Sequence, residues 1–227
     1  MECSTKYPKT YHLPFSKGLT NDDRMVDNDW EKYLINQPIV ITEKLDGSQN
    51  CITKHGVYAR SHTTFSENKW DTNLIEKGGL YDQIKDNLTD DMYVYIENMY
   101  AIHSIEYNKL PSYTFLIAYR EGDYFESWNE TEWIARYFLS LKTVPVLYQG
   151  KVHSIDALKK TIEQLMRYGS KYGNTIEGVV IRNTKKFHYN DFSKYVAKYV
   201  RENHVQTDKH WRKNWKKHQL YYEYEYE

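Results

Sequence analysis

The sequence predicts an α+β fold in which antiparallel sheets are flanked by helices. Short apolar segments with alternating polarity follow one another across tight turns, which is typical of β-hairpins. Two segments with helical periodicity and serine caps separate the groups of strands. Strands that come in hairpin groups, with helices between the groups, indicate antiparallel sheets.

The first half of the chain supplies four predicted strands after an irregular stretch over residues 1–29, which is rich in turn signals. Alternating or apolar segments rich in β-formers predict strands at residues 39–44, 49–54, 57–61 and 92–97. Lys54-His55-Gly56 turns the second of these strands into the third.

The second half begins with a predicted hairpin of residues 113–119 and 123–127, which turns at Glu121-Gly122. Ser127 opens a predicted helix that runs to about Leu141, and Ser154 opens another that Gly169 stops. Apolar centres predict the remaining strands at residues 144–148, 175–182 and 195–200.

Composition describes a globular chain that can bury a core. Of the 227 residues, 40% are hydrophobic and 27% charged, and the formal net charge is zero, which argues against indiscriminate nucleic-acid binding. Two cysteines do not form a disulfide framework, which favours a reducing cytoplasm. The start MECSTKYPKT does not resemble a signal peptide, and no stretch approaches the roughly 18 apolar residues of a membrane span.

The stretch ITEKLDGSQN brings Lys44 to the point where an apolar strand turns. One interpretation is a plain hairpin in which Asp46-Gly47 makes the turn and the lysine is solvated. The other is a nucleophilic lysine, which needs a pKa lowered by burial or by neighbouring cations.

The second interpretation gains weight from charged residues that follow at the ends or on the inner faces of later predicted strands. In chain order they are Arg60, Glu97, Glu177 and Lys198. Lysines, an arginine and glutamates that converge on one cleft would make a site for a polyanion and a metal ion, because cations neutralise phosphates and carboxylates bind Mg²⁺.

The ordered set EKLDGS, ARS, IEN, IEGVVIR and AKYVR resembles the motifs of the covalent nucleotidyltransferase superfamily. The chain is similar in particular to ATP-dependent RNA ligases of the kind represented by the second RNA ligase of T-even phages, in a small phage and bacterial branch. The resemblance covers about residues 7–211. It implies a nucleotidyltransferase (ligase adenylation) domain in the cytoplasm of a bacterial or phage-infected cell, with RNA ends as partners and RNA repair as the biological role.

The resemblance implies that Lys44 attacks the α-phosphorus of ATP, becomes lysyl-AMP and releases pyrophosphate. AMP would then pass to an RNA 5′-phosphate, and a 3′-hydroxyl would displace it. Glu43, through its side chain or its backbone, would read the adenine edge, while Asp46 and Gly47 would shape the loop around the ribose.

The other motifs would bind phosphate, ribose and metal. Arg60 would contact the nucleotide phosphate or, later, the RNA 5′-phosphate, and Glu97 would hold a ribose hydroxyl. Glu177 would bind the catalytic Mg²⁺ or Mn²⁺. Either Lys194 or Lys198 would be the first lysine of the last motif and contact the α-phosphate, and AKYVR favours Lys198.

Two features depart from the larger family. Ile117-Ala118 stands where a Phe-Asp pair is usual, so adenine would rest on Ile117, or on Phe115 if the register differs. Residues 1–205 would form the adenylation domain, and residues 206–227 would be a short basic segment with an acidic, tyrosine-rich tail in place of an OB-fold domain. That segment is either an amphipathic helix packed on the core or a clamp for the RNA backbone.

Three other functions remain open at this stage. A minimal DNA ligase or a GTP-using capping enzyme would normally carry an OB-fold domain. A catalytically silent module that binds nucleic-acid ends would not need the set of Lys44, Glu97, Glu177 and Lys198.

Overall fold

The computed structural model describes residues 6–20, 23–60, 65–76, 78–202 and 215–222. Their strands form two sheets that face each other across a cleft, and helices cover the outer faces. The predicted α+β class with antiparallel sheets and flanking helices is confirmed.

The first sheet has five strands among the described residues. In spatial order they are β1 (Tyr11–His12), β12 (Val196–Val200), β10 (Gly178–Asn183), β2 (Pro38–Lys44) and β9 (Val146–Lys151). All neighbours are antiparallel except β1, which runs parallel to β12. The predicted strand at 39–44 is therefore central, which explains its uninterrupted apolar run: Ile39, Val40 and Ile41 are fully buried.

The second sheet has seven strands in the described part of the chain. Along the main path they are β11 (Phe187–His188), β7 (Tyr124–Phe125), β6 (Thr114–Glu121), β5 (Met92–Asn98), β3 (Ser48–Thr53) and β4 (Gly56–Ala59), while β8 (Lys142–Thr143) runs parallel to β6. The predicted hairpins β3–β4 and β6–β7 are both present.

Helices connect and cover the sheets. They are α1 (Glu31–Leu34), α2 (Lys69–Asp71), which continues as a π-helix (Thr72–Glu76), α3 (Leu80–Ile84) with a 3₁₀ turn (Lys85–Asn87), α4 (Trp128–Trp133), which continues as a π-helix (Ile134–Phe138), α5 (Ile155–Tyr168), and α6 (Phe192–Tyr195) after a 3₁₀ turn (Tyr189–Asp191).

Both predicted helix caps are confirmed. Ser127 Oγ accepts the Glu130 N–H at 3.2 Å, and Ser154 Oγ accepts the Ala157 N–H at 3.1 Å. Gly169 follows α5 with φ of 78°, a conformation that glycine adopts without strain. The first predicted helix ends earlier than expected, because its last turn is π-helical and stops at Phe138.

Apolar clusters on both sides of the sheets hold these elements. Helix α5 covers the outer face of the first sheet, where Leu158 and Ile162 join the cluster that contains Ile39 and Ile181. The outer face of the second sheet packs on the segments around α3 and α4. Between the sheets, Tyr95, Phe125 and Val196 belong to one cluster, which fixes the two inner faces relative to each other beside the cleft.

The basic segment differs from its prediction as an amphipathic helix. Trp211, Arg212 and Lys213 lie outside the described residues. Residues 215–220 are extended rather than helical, and bridges Ala101↔Lys217 and Leu110↔Leu220 attach them to the chain that follows β5. One of the two alternatives was a helix packed on the core. Residues 215–220 do pack on the core, but through backbone pairing rather than as a helix.

Candidate active site

The cleft between the two sheets has a volume of about 1000 Å³. Most of the sequence-predicted site residues line it: Glu43, Lys44, Gly47, Arg60, Glu97, Ile117, Glu177 and Lys198. Asp46 and Lys194 lie outside the lining. A cleft of this size, with many charged side chains beside its apolar ones, suits a charged ligand the size of a nucleotide.

Lys44 and Glu177 form an ion pair in this cleft, with 2.7 Å between Nζ and Oε2. The register of the first sheet brings them together, because Lys44 ends β2 directly opposite Gly178, the first residue of β10. A Cβ at position 178 would lie 2.2 Å from the Tyr199 carbonyl oxygen, so only glycine permits this approach of β10 to β12.

The charge state of Lys44 differs from its prediction. Neighbouring cations were expected to lower its pKa. Burial does lower it, but the carboxylates of Glu177, Glu97 and Asp46 outweigh burial and hold the pKa above its ordinary value. Lys44 is therefore protonated in the free protein, because carboxylates rather than cations are its nearest charges.

Glu97 ends β5 and binds the turn after Lys44. Its Oε1 accepts the Gly47 N–H at 3.1 Å. Burial first, and the Glu177 charge in addition, raise the pKa of Glu97 to about 7 against the opposing effect of Lys44. A Cβ on Gly47 would lie 2.6 Å from the Asn98 carbonyl oxygen, so the predicted glycine is required for this close approach.

Asp46 faces away from the cleft. Its Oδ2 accepts the backbone N–H groups of Ser104 and Ile105 at 2.8 and 2.9 Å, and its own N–H donates to Tyr107 Oη at 3.0 Å. The aspartate thus ties the turn after Lys44 to the loop that follows β5. Asp46 was expected to shape the loop around the ribose, and its carboxylate instead binds backbone amides of a distant loop.

Glu43 also points elsewhere, because alternate side chains of β2 face opposite sides. Its carboxylate accepts Ser170 Oγ–H at 2.5 Å and the Lys171 N–H at 2.9 Å. Burial raises the pKa of Glu43 despite these bonds. Since the carboxylate is committed to loop 170–171, its backbone is the part left to contact a ligand.

The two candidate lysines of the last motif have different surroundings. Lys198 lies on β12, lines the cleft and is 3.4 Å from Asp23 Oδ1. Lys194 lies on α6, where its ammonium forms an i,i+3 pair with Asp191 at 2.8 Å. The structure brings Lys198 to Lys44 and leaves Lys194 outside the cleft, because α6 precedes the strand.

The second sheet places Ile117 in the cleft. Phe115 is fully buried and stacks on Tyr172 with 5.2 Å between ring centroids, so it is not available to a ligand. Arg60 follows β4 and is exposed at the edge of the cleft.

Several residues that line the cleft were not predicted from the sequence, among them His12, Asp23 and Arg182. Arg182 is buried, and burial lowers its pKa to about 10. His12 and Asp23 lie in stretches that were interpreted only as turns. The sequence held a signal for two of these residues. Arg182 ends the IEGVVIR motif, and Asp23 belongs to TNDD, which concentrates acids in a predicted loop.

The carboxylates in the cleft suit a magnesium or manganese ion that is also bound by phosphate and water. Among the residues described, they do not form a site in which protein side chains alone hold the metal. In the described ranges, no three His, Cys, Asp or Glu side chains are grouped as a metal cage. Mg²⁺ uses one or two carboxylates with phosphate oxygens and water. Glu177, buried near Glu97 and paired with Lys44, offers such a carboxylate.

Comparisons with known proteins concern the family and the fold of the chain. A family model described as RNA ligase matches residues 37–200. An archaeal ATP-dependent RNA ligase has a TM-score of 0.57 at 14% identity, over 86% of this chain and 48% of its own. A Naegleria gruberi RNA ligase with PPi has a TM-score of 0.56 at 16% identity, over 86% and 57%.

A proposed ATP-dependent DNA ligase from Aquifex aeolicus has a TM-score of 0.50 at 18% identity, over 86% and 50%. The chain thus spans about half the length of these solved relatives, and their likeness concerns the fold. No curated protein sequence matches the chain. No helix among the described residues is long and apolar enough to cross a membrane.

Proposed function

Because this chain belongs to the RNA ligase family, we propose that it joins an RNA 5′-phosphate to a 3′-hydroxyl with ATP and a divalent metal ion. One observation carries the proposal: Lys44 Nζ lies 2.7 Å from Glu177 Oε2 in a nucleotide-sized cleft that Glu97 and Lys198 also line. The cysteine usage supports a cytoplasmic location.

In the first step, Lys44 Nζ bonds to the α-phosphorus of ATP, the bond to pyrophosphate breaks, and Nζ gives up its proton. Lys44 is protonated and paired with Glu177 in the free protein, so it must leave this pair before it can react. The Glu177 carboxylate is 2.7 Å away and is the nearest group that can accept the proton.

Other residues would bind the rest of the nucleotide. Lys198 would contact the α-phosphate and Arg60 a phosphate at the edge of the cleft. Glu97 would accept a ribose hydroxyl, and Ile117 would support the adenine ring. Their positions around Lys44 suit a reaction that depends on alignment and charge stabilisation.

Glu177 would also hold the Mg²⁺ or Mn²⁺ ion, which when bound would stabilise the negative charge on the phosphate oxygens. The RNA 5′-phosphate would then take AMP from Lys44, and the RNA 3′-hydroxyl would displace AMP to form a phosphodiester.

The test is incubation with α-labelled ATP and Mg²⁺. The proposal predicts a labelled protein of 27.4 kDa. Lys44→Arg is the sharpest control, because it keeps a cation beside Glu177 and removes the nucleophile, and it should not label. Label from GTP but not from ATP would indicate a capping activity instead.

Parallel assays with different nucleic acids identify which polynucleotide the protein seals. Nicked duplex RNA, single-stranded RNA and nicked DNA are offered to the labelled protein, and RNA sealing is expected. Sealing of DNA alone would point to a DNA ligase. Absence of any label with properly folded protein would contradict catalysis and favour an end-binding module.

A further inference from the structure

A carboxylate outside the sequence-predicted set contacts Lys198. Asp23 Oδ1 lies 3.4 Å from Lys198 Nζ and 3.2 Å from His12 Nε2. The side chains of Lys198 and Asp23 are each 16% exposed, and that of His12 is 1% exposed. The pair is therefore shielded from water, where a charge contact is worth more than on the surface.

Asp23 is itself fixed through its other oxygen. Oδ2 accepts the Thr20 N–H at 3.2 Å and Thr20 Oγ1–H at 2.8 Å. These bonds and the Lys198 charge hold the pKa of Asp23 well below its ordinary value, although burial opposes them. Asp23 is thus an ionised group with one oxygen turned toward Lys198.

His12 connects this carboxylate back to the strand that carries Lys198. Its Nδ1 lies 2.8 Å from Ser16 Oγ, and Ser16 Oγ accepts the Val200 N–H at 3.0 Å. His12 also pairs with Lys198 in the register of β1 and β12. The chain of contacts therefore starts and ends on β12, which fixes Asp23 relative to Lys198.

We infer that Asp23, supported by His12, is a positioning residue that orients the Lys198 ammonium in the cleft for the α-phosphate of ATP. The inference rests on the proposed function. Lysine has a flexible four-carbon stem with many rotamers, so an unrestrained ammonium would spend little time in one geometry.

The charges nearby give Asp23 a second use. Burial, and next the charge of Lys44, lower the pKa of Lys198, and Asp23 opposes both. Asp23 thereby helps Lys198 to remain a cation next to another lysine.

The test compares Asp23→Asn with Asp27→Asn, an exposed acid on the same segment, in single-turnover labelling with α-labelled ATP. We expect Asp23→Asn to lower the rate constant at saturating ATP roughly 10- to 100-fold, the range expected for one charge-assisted contact. Asp27→Asn should match the unmodified protein. In a Lys198→Ala background, Asp23→Asn should change the rate less than about twofold, because its partner is gone.

Each other outcome is decisive. Equal rates for Asp23→Asn and Asp27→Asn, or full additivity with Lys198→Ala, would overturn the inference. So would a change confined to the half-saturating Mg²⁺ concentration, which would assign Asp23 to metal binding. If Asp23→Asn does not fold, Thr20→Val, which removes one bond to Oδ2, should give a smaller loss in the same direction. Failure of the unmodified protein to label would count against the proposed function instead.

Discussion

The two sheets contribute different kinds of wall to the cleft. On the first sheet, Lys44 and Lys198 each lie within ion-pair distance of a carboxylate. On the second sheet, Glu97 binds a backbone amide, Ile117 offers an aliphatic surface, and Arg60 is exposed. Charges are thus neutralised in pairs on one wall and spaced apart on the other.

This difference suggests that the two walls have different roles. Phosphate chemistry needs charges that are held in place and released in order, which the paired wall provides. Binding of a base and a ribose needs shape and a few polar groups, which the other wall provides. Substitutions on the first sheet should therefore change rates, and those on the second sheet should change ATP affinity or stability.

The largest effect is expected for Glu177→Gln on the paired wall. It removes the carboxylate that we propose accepts the Lys44 proton and holds the metal ion, so the rate of label transfer should fall roughly 100-fold or more. Single-turnover labelling measures this, with Glu163→Gln on the exposed face of α5 as the matched control. A fall in rate of less than threefold would contradict the role assigned to Glu177 and to the first sheet.

A smaller effect of a different kind is expected for Ile117→Ala. Loss of the aliphatic surface should raise the half-saturating ATP concentration about 10-fold and leave the rate constant at saturation within about twofold. Titration with ATP measures both, and Ile155→Ala on α5 is the control. A decrease confined to the rate constant would show that Ile117 acts in the chemical step rather than in ATP binding.

Glu97→Gln should alter the dependence of stability on pH. The pKa of Glu97 is raised to about 7, so the folded protein binds its proton more tightly than the unfolded chain does. The resulting stabilisation is fully present below the ordinary pKa and is lost as pH rises through about 7. Glutamine avoids this loss and still accepts the Gly47 N–H.

Thermal unfolding followed at pH 5 and pH 8 measures the effect. The variant should unfold roughly 2 to 4 °C above the unmodified protein at pH 8, the shift that about 1 kcal/mol causes in a chain of this size, and near it at pH 5. The opposite order at pH 8 would show that Glu97 is ionised without cost.

Lys194→Ala should have the smallest effect. Its pair with Asp191 is an exposed i,i+3 contact on the surface, where water and salt screen the attraction, so its loss should change little. Labelling within twofold of the unmodified protein is expected. A loss of labelling as large as that caused by Lys198→Ala would instead show that Lys194 takes part in the reaction.

The sequence predicted the central strands and the cluster of motifs because both leave local signals. Val179-Val180-Ile181 marks a buried strand, and Ser127 and Ser154 mark helix starts. It did not predict the helical turns over residues 69–76, which have no side-chain cap bond at their start. It also did not predict the extended pairing of residues 215–220, which depends on partners far along the chain.

Directions of side chains were harder to predict than their positions. Glu43 and Asp46 flank Lys44, yet both carboxylates bind distant loops. Glu43 does so because a strand turns successive residues to opposite faces, whereas Asp46 lies in the turn beyond β2. Asp23 lies 175 residues before Lys198, so no local pattern could join them. The motif lysines gave a list of candidates, and the sheet register selected Lys198.

The central claim is that Lys44 forms a covalent bond with AMP. The most direct measurement is peptide mapping of protein labelled with α-labelled ATP, under alkaline conditions that preserve a phosphoramide bond. We expect the label on the peptide that contains Lys44, and we expect mild acid treatment to remove it. Label on any other peptide, or an acid-stable label, would contradict it.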